Sequence, residues 1–547
     1  MNRLKMRRSD SFKGIPKMHR LIVVMLVLAA VCCGGCKTGP DYTTPEKAVP
    51  DKWSSLSPGV EVDTPAAEAA AWWTTLNDPV LTSLITRGAG ANLDLKYAGA
   101  RIREARAVRG IAASGLLPTV GASASYRRME SVEPPAQPAG SPVSVGGTIS
   151  AAGVTPSVSV RGRNVLVMQN GIGSTGSTSV SYTPGSQSAP SRQSDLFQTG
   201  LDAAWELDIF GGKRRGVEAA DADLAATEEF RRGVLASLAA EIALSYTDLR
   251  TSQNRLEITR KNIEAQERTA GLTADRFQAG LSSELDSVRA QAQLAGTKSQ
   301  IPMLETQVQA AMHRLGVLLG VAPGTLKEEL GTPSPLPTPP ATVPVGMPSD
   351  LLRRRPDIRQ AERQLAAATA RVGQAMADQF PKFTLTGGIS GQSGNLVSLL
   401  DSANRMWSIG PGISVPIFQG GRIRANIEAQ NARQEQAAIQ YEQSILVALA
   451  DVENGLVSFA KEQVRGDLLR ESAASNEKAL KLADERYTSG LEGFLNVLVA
   501  QLSVYQVQDQ LVQSQSMVLT DLISLYKALG GGWELSEPAS ASDSAQP

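Results

Sequence analysis

Along two stretches of this chain the apolar positions fall seven residues apart. Leu235, Ile242, Leu249, Leu256 and Ile263 do so in the first, and Ile445, Val452 and Phe459 in the second, inside proline-free runs over residues 217–278 and 425–488. A seven-residue spacing keeps one seam of a helix turned towards a partner helix, so each run predicts a coiled-coil helix. At 1.5 Å per residue, about 60 residues make a rod of roughly 90 Å, longer than a single globule of this size can bury. Each rod ends at a glycine turn, Ala279-Gly280 or Ser489-Gly490, and helical periodicity resumes over residues 294–315 and 502–525. Two helical hairpins are therefore predicted.

Ahead of each rod lie two shorter stretches with strand character, residues 119–127 and 197–210, then 383–392 and 406–418. Each is about the 9 to 11 residues that a transmembrane strand requires. Four strands cannot close a barrel, and an open sheet edge in lipid leaves backbone groups unpaired at several kcal/mol each. The pattern thus predicts an α+β membrane protein that oligomerises. Three chains would supply a 12-stranded β-barrel, four strands from each, continued by a long α-helical barrel of coiled-coil hairpins.

The chain also repeats itself. RFQAGLSSELDSVRAQ, residues 276–291, matches RYTSGLEGFLNVLVAQ, residues 486–501, at an offset of 210. GGKRR and GGRIR pair at 209, while NLDLKYAGARIREARA and RPDIRQAERQLAAATA, with Leu117-Pro118 and Phe380-Pro381, pair at 263. The change of offset leaves about 53 extra residues in the first copy, and the Ser-, Gly- and Pro-rich residues from about 130 to 194 account for them as a loop insertion. The domain plan is then a leader over 1–35, an extended equatorial segment over 36–90, a first repeat over 91–330, a proline-rich connector over 331–350, a second repeat over 351–535 and a disordered tail over 536–547. Gly211, Gly212, Gly420 and Gly421 would let the chain turn from strand to helix, with Lys213, Arg215, Arg422 and Arg424 facing polar surroundings near a membrane interface. The basic run Arg353 to Arg355 would anchor the connector through carboxylates such as Asp350 or Asp357.

Composition narrows the chemistry. Lys plus Arg and Asp plus Glu each number 54, so no charge bias points to nucleic acid. The only histidines are His19 and His313, and no nucleophile-base pair, metal-ligand spacing or nucleotide loop is visible, which argues against an enzyme and against a metal site. All three cysteines, Cys32, Cys33 and Cys36, crowd one place. They follow a basic region and an apolar run over residues 21–31 that is too short to span a bilayer. Gly34 and Gly35 before Cys36 complete a bacterial lipoprotein leader, whose product would carry diacylglycerol and an N-acyl chain on Cys36 and no other cofactor. Met18, followed by His19 and Arg20, would also make an ordinary leader start.

CKTGPDYTTPE from Cys36, WELDIFG from Trp205, VPVGMPSDLLRRRPDIRQAER from Val343 and the paired RFQAGL and RYTSGL turns together resemble the TolC-like outer-membrane factor family, in its NodT-type lipoprotein branch serving resistance-nodulation-division pumps. The match spans nearly the whole mature chain. It implies a homotrimer lipid-anchored in the outer membrane, with its helical part in the periplasm, docking on a periplasmic adaptor (membrane fusion protein) coupled to an inner-membrane transporter. The chain would be a passive exit duct for drugs or other toxic small molecules. A type I protein secretion duct is the neighbouring function within the family, and a pore-free, lipid-anchored coiled-coil adaptor is the reading from another class. The resemblance also places a gate at the helical tips, on Tyr487, Gly490, Glu492, Asn496 and Val499, with Asp286 at the matching place in the first copy. Relatives often carry aspartates where Asn496 and Val499 stand and sometimes arginine at Glu492, so an acidic ring is not carried over. Three copies of Glu492 would still make a negative ring, although such groups suit any solvated hairpin tip.

Overall fold

Gly211 takes a left-handed backbone, φ 78°, and Gly421 does the same at 83°. A helix of 67 residues starts immediately after each, so the strand-to-helix turns and the rods sit where the glycines and the heptads place them. The computed structural model describes residues 37–45, 49–55, 60–61, 71–130, 193–340 and 343–534. The leader, Cys36, the insertion over residues 131–192 and the tail from residue 535 lie outside the described residues.

In chain order the strands are β1 (Val60–Glu61), β2 (Thr119–Glu130), β3 (Gln193–Leu207), β4 (Val343–Pro344), β5 (Lys382–Ser393) and β6 (Arg405–Ser414). The main helices are α1 (Pro79–Ala91), α2 (Leu93–Ser114), α3 (Gly212–Gln278), α4 (Glu284–Lys298), α5 (Gln300–Leu318), α6 (Pro356–Ala377), α7 (Arg422–Thr488) and α8 (Phe494–Ala528). They form two compact units, a helical one and a smaller one holding the sheet, residues Pro118–Glu206 and Phe383–Ile413. No described helix is long and apolar enough to cross a membrane.

In the helical unit the heptads of α7 run from Ile445 to its C-terminal end, with Ile445, Val452, Phe459, Gly466, Ala473 and Tyr487 all buried. In α3 only Leu235, Ile242 and Leu249 of the expected five are buried. Below them the buried seam passes to Ser252, Thr259, Gln266 and Thr273, and Leu256 and Ile263 are only half-buried. The reason is a change of partner along the rod: α3 packs on α1, α2, α4, α5, α6 and α8, and its polar contacts with α8 fall at Arg255, Thr259, Asn262 and Thr269. Against α8 the seam is polar, with Arg255 Nε donating to Asp509 at 2.6 Å and Gln501 Nε2 to Thr269 at 2.8 Å.

The returning arms differ as well. The second is one helix, α8, but the first breaks at Ser299 between α4 and α5. Pro302 has no N–H to give the Lys298 carbonyl four residues back, so the ladder loses a rung there.

Within residues 36–90, expected to be extended, residues 79–91 are helix. Asp78 caps it by accepting from the Val80 and Leu81 amides, and Pro79 takes the first helical position, where a missing N–H costs nothing. The Asp78 carboxylate also accepts from Tyr246 Oη at 2.7 Å, tying α1 to α3. Leu81, Leu84 and Ile85 of α1 are buried in the main core, with Ile242, Leu315 and a stack of Trp72 on Tyr526 at 5.5 Å. The connector is without helix over residues 333–340 and 343–347, as its prolines require, and it ends in a 3-10 turn at Pro348–Asp350. Val343–Pro344 pairs in parallel with Val60–Glu61, while Arg250 and Gln253 donate from α3 to the Thr332 and Leu330 carbonyls.

The sheet unit has strand order β2-β3-β5-β6. In the antiparallel β2/β3 ladder, Val120 faces Ala203, Ala122 faces Leu201 and Tyr126 faces Phe197, whereas Gly121 faces Asp202 and Ser125 faces Gln198. Alternate residues point to opposite faces. One face is therefore apolar and the other polar.

Candidate functional site

The hairpin tips repeat a single geometry. Gly280 and Gly490 both sit at φ 73°, and the amides of Leu281 and Leu491 return to the carbonyls of Arg276 and Arg486. This is the left-handed glycine closure that ends a helix and satisfies its last carbonyls. What the two tips do with their side chains differs.

At the second tip Arg486 is taken by its own Glu492, Nε to Oε1 at 2.6 Å, and Asn496 donates to the other carboxylate oxygen at 3.0 Å. These two donors, Asn496 and then Arg486, hold the Glu492 carboxyl below its ordinary range. Glu492 is thus charged but paired inside its own chain, which weakens any negative ring built from it. In the first copy Ser282 stands where the second has Glu492. Arg276, which has no ion pair among the described residues, reaches across to the second tip. Its guanidinium lies 4.7 Å over the Tyr487 ring and donates to the Tyr487 carbonyl at 3.1 Å.

Tyr487 itself is buried, in a small core with Phe494, Val497, Ala270 and Ala290. Its hydroxyl has no partner, and burial pushes its pKa up, with Arg276 opposing. The structure therefore places Tyr487 inside the tip, as the surface that Arg276 clamps. Val499 is half-exposed, and Asp286 lies in the first turn of α4, its amide donating to Ser283. The structure joins Glu492 with Asn496, and Tyr487 with Arg276. Arg276 was missed in the sequence; setting the two RF/RY turns in register shows, among their differences, Ser282 against Glu492, which leaves Arg276 without the carboxylate that Arg486 has.

At the strand-to-helix turns Gly211, Gly420 and Gly421 all have positive φ, but Gly212 does not. Gly212 is the first residue of α3, and a side chain there would press on Ala377 Cβ at 2.9 Å, so close packing on α6 is what requires it. Asp208 caps α3 by accepting from the Lys213 and Arg214 amides at 3.0 and 2.8 Å. Arg215 does not face a polar exterior. It is fully buried, whereas Arg422 and Arg424 are exposed.

Arg355 does anchor the connector's end, through Asp357 as expected and through Asp451 and the Ala528 carbonyl, each at 3.1 Å. Asp350 instead accepts from the Met347 amide. Near this cluster, on α8, burial and the facing Glu462 push Asp521 up to about 6. Glu462 accepts from Ser514 Oγ at 2.6 Å and from Arg465 at 2.8 Å. At low pH the Asp521 carboxyl is neutral in both folded and unfolded chains. As pH rises from the ordinary 3.8 through about 6, ionising it inside the fold costs stability, and above that the cost is complete. Asp521→Asn is expected to raise the denaturation midpoint at pH 8 by the equivalent of about 1 kcal/mol after solvent screening, and to change it little at pH 4.

The sheet's apolar face carries Val120, Leu201, Ile389, Trp407 and Ile409, all more than half exposed. Trp407 alone is 77% exposed. On the other face Asp202, Ser390, Thr384, Thr386 and Ser408 lie against glycines of neighbouring strands. Exposed apolar side chains alternating with polar ones over strands of 10 to 15 residues are what a membrane strand presents to lipid and to water. A profile of the outer membrane efflux protein family matches residues 171–321 and 347–531. The chain belongs to that family.

As an outer membrane efflux protein it is 30% identical over 499 residues to Nodulation protein T of Rhizobium leguminosarum bv. trifolii, covering 91% of this chain and 95% of that one. It is 31% identical over 509 residues to the pyoverdine export outer membrane protein OpmQ of Pseudomonas aeruginosa, covering 93% and 96%. The solved outer-membrane channel OprN superposes with a TM-score of 0.75 at 33% identity, over 91% of this chain and 100% of that chain. CusC does so at 0.70 and 26%, over 91% and 100%. The protein is thus an outer-membrane efflux channel component, a transport duct and not an enzyme. This displaces the pore-free adaptor reading.

Proposed function

We propose that three copies of this chain close a 12-stranded barrel in the outer membrane and pass small toxic molecules through it from a periplasmic adaptor and an inner-membrane resistance-nodulation-division transporter. The observation that carries this is the sheet: it has one apolar face and ends in β2 and β6, two strands with no further partner in its strand order. In lipid such edges cost several kcal/mol for each unpaired group, so other copies must cover them. Cys36, acylated with diacylglycerol and an N-acyl chain, anchors each chain. The tips, with Leu281, Leu285, Leu491 and Leu495 exposed, meet the adaptor.

The gate in this reading is the clamp of Arg276 on Tyr487, which ties the first hairpin to the second. A cation over a ring and a charge-assisted hydrogen bond together supply about 2 kcal/mol, roughly thirtyfold in the ratio of closed to open tips. Single-channel conductance in planar bilayers tests both duct and gate. Wild-type trimers are expected to pass small currents, and Arg276→Ala or Tyr487→Ala to enlarge them. A folded trimer that never conducts would overturn the duct; equal currents in all three proteins would overturn the gate alone.

A further inference from the structure

Arg215 in the first turn of α3 is 0% exposed, an unusual place for a guanidinium, and all five of its N–H groups are used. Nη1 donates to both Glu218 oxygens, at 3.1 and 3.0 Å. Nε donates to the Thr38 carbonyl at 3.0 Å, and Nη2 to the Gly39 carbonyl at 3.2 Å and Asp41 Oδ1 at 2.8 Å. Three of the five bonds therefore go to residues two to five positions after Cys36. A lysine, with three donors on a point charge, cannot reproduce this fork.

The segment it holds is shaped to fit. Thr38 donates through both its amide and its hydroxyl to the Phe210 carbonyl, at 3.2 and 2.9 Å. Gly39, at φ 85°, crosses Gly373 of α6. A side chain on Gly373 would meet the Thr38 carbonyl at 2.8 Å and Arg215 Nε at 2.9 Å. Lys37 adds an ion pair to Glu218 at 3.2 Å. Arg424, the second copy's counterpart of Arg215, has no such segment to bind and stays exposed. The burial of Arg215 is thus explained by the N-terminal segment and not by the turn.

We propose that Arg215 is the positioning residue of the lipid anchor. It locks residues 38–41 onto the start of α3, so that acyl chains on Cys36 are tethered to a fixed point of the fold and not to a leash. Two peptide steps of ~3.8 Å separate Cys36 from Thr38, which leaves no slack to take up. Ile417 and Phe418, at the corresponding turn of the second copy, are 94% and 89% exposed, so that turn also offers apolar side chains to a bilayer. The inference rests on the acylation of Cys36 proposed above.

The test uses full-length protein bound through its anchor to preformed liposomes of phospholipids brominated at graded acyl depths and read before the barrel inserts, so that the anchor alone sets the depth, with Gln419→Cys labelled by a quenchable fluorophore. An acylated Cys36 cannot take the label; if the protein without Gln419→Cys labels at Cys36, the acylation reading fails, and the proposal with it. With acylation intact, wild type is expected to show one sharp depth of maximal quenching. Arg215→Ala should flatten and shift that profile, with Arg215→Lys between the two. A spacer of eight Gly and Ser residues between Cys36 and Lys37, which leaves the lock whole but adds a leash of roughly 16 Å, should do the same without lowering the melting temperature of the trimer. If Arg215→Ala does not fold, the spacer variant decides alone. An unchanged depth profile in an acylated spacer variant would overturn the proposal.

Discussion

Arginine in place of Ile409 is expected to abolish assembly in the membrane, while arginine in place of its neighbour Ser408 leaves assembly intact. The two positions are adjacent in β6 and therefore on opposite faces. Ile409 shares the apolar face with Trp407, Leu201 and Val120. Ser408 shares the other with Thr386 and Asp202, where glycines leave room for a longer side chain. A charge facing lipid costs about 2–4 kcal/mol at the bilayer midplane and nearly nothing in a water-filled lumen. Three chains multiply the cost threefold in one barrel. The measurement is the fraction of heat-resistant trimer recovered from outer membranes. Equal recovery of the two variants would refute the assignment of faces.

The second large effect is expected at Arg355, whose side chain is only 10% exposed. Its guanidinium donates to Asp357 at 3.0 and 2.7 Å, to Asp451 at 3.1 and 3.2 Å and to the last carbonyls of α8 at Ala528. Arg355→Met keeps the length and removes the charge, leaving two carboxylates facing each other. Breaking such a pair from one side costs about 3 kcal/mol, here reduced because both carboxylates are half-exposed. Adding Asp451→Asn should return part of the loss, which separates the ion pair from simple loss of packing. Burial pulls Asp357 up, but the hydrogen bond and charge of Arg355 win and hold it below the ordinary carboxylate value. Its contribution is thus present above the ordinary value and lost as pH falls through the lowered one. Denaturation of wild type and Arg355→Met should accordingly converge in acid and diverge at neutral pH.

Much of this architecture was legible because long-range order is written in short-range spacing. The heptads from Ile445 to Phe459 mark α7, the glycine pairs mark where each rod begins, and the strand character of residues 119–127 marks β2. What was not legible depends on partners distant in sequence. Leu256 and Ile263 continue the heptad of α3 but lose the core because α3 changes neighbours. Helix α1 was hidden by its polar and glycine residues, although Asp78-Pro79 is a recognisable start. At the tips, Tyr487 and Glu492 were visible as residues, but their roles turn on which arginine each one holds. Arg215 looked like one more basic residue at an interface, and its burial is explained by Thr38, Gly39 and Asp41, the first of them 177 positions earlier.

The break at Ser299 gives the two arms of the chain different stiffness. The first hairpin returns through a joint between α4 and α5, and the second through a continuous strut of 35 residues. A lateral push on the tips will bend the jointed arm first and be transmitted by the other. In a ring of three such chains, compliant and rigid arms would alternate, so a structure that repeats its plan six times would yield in only three places.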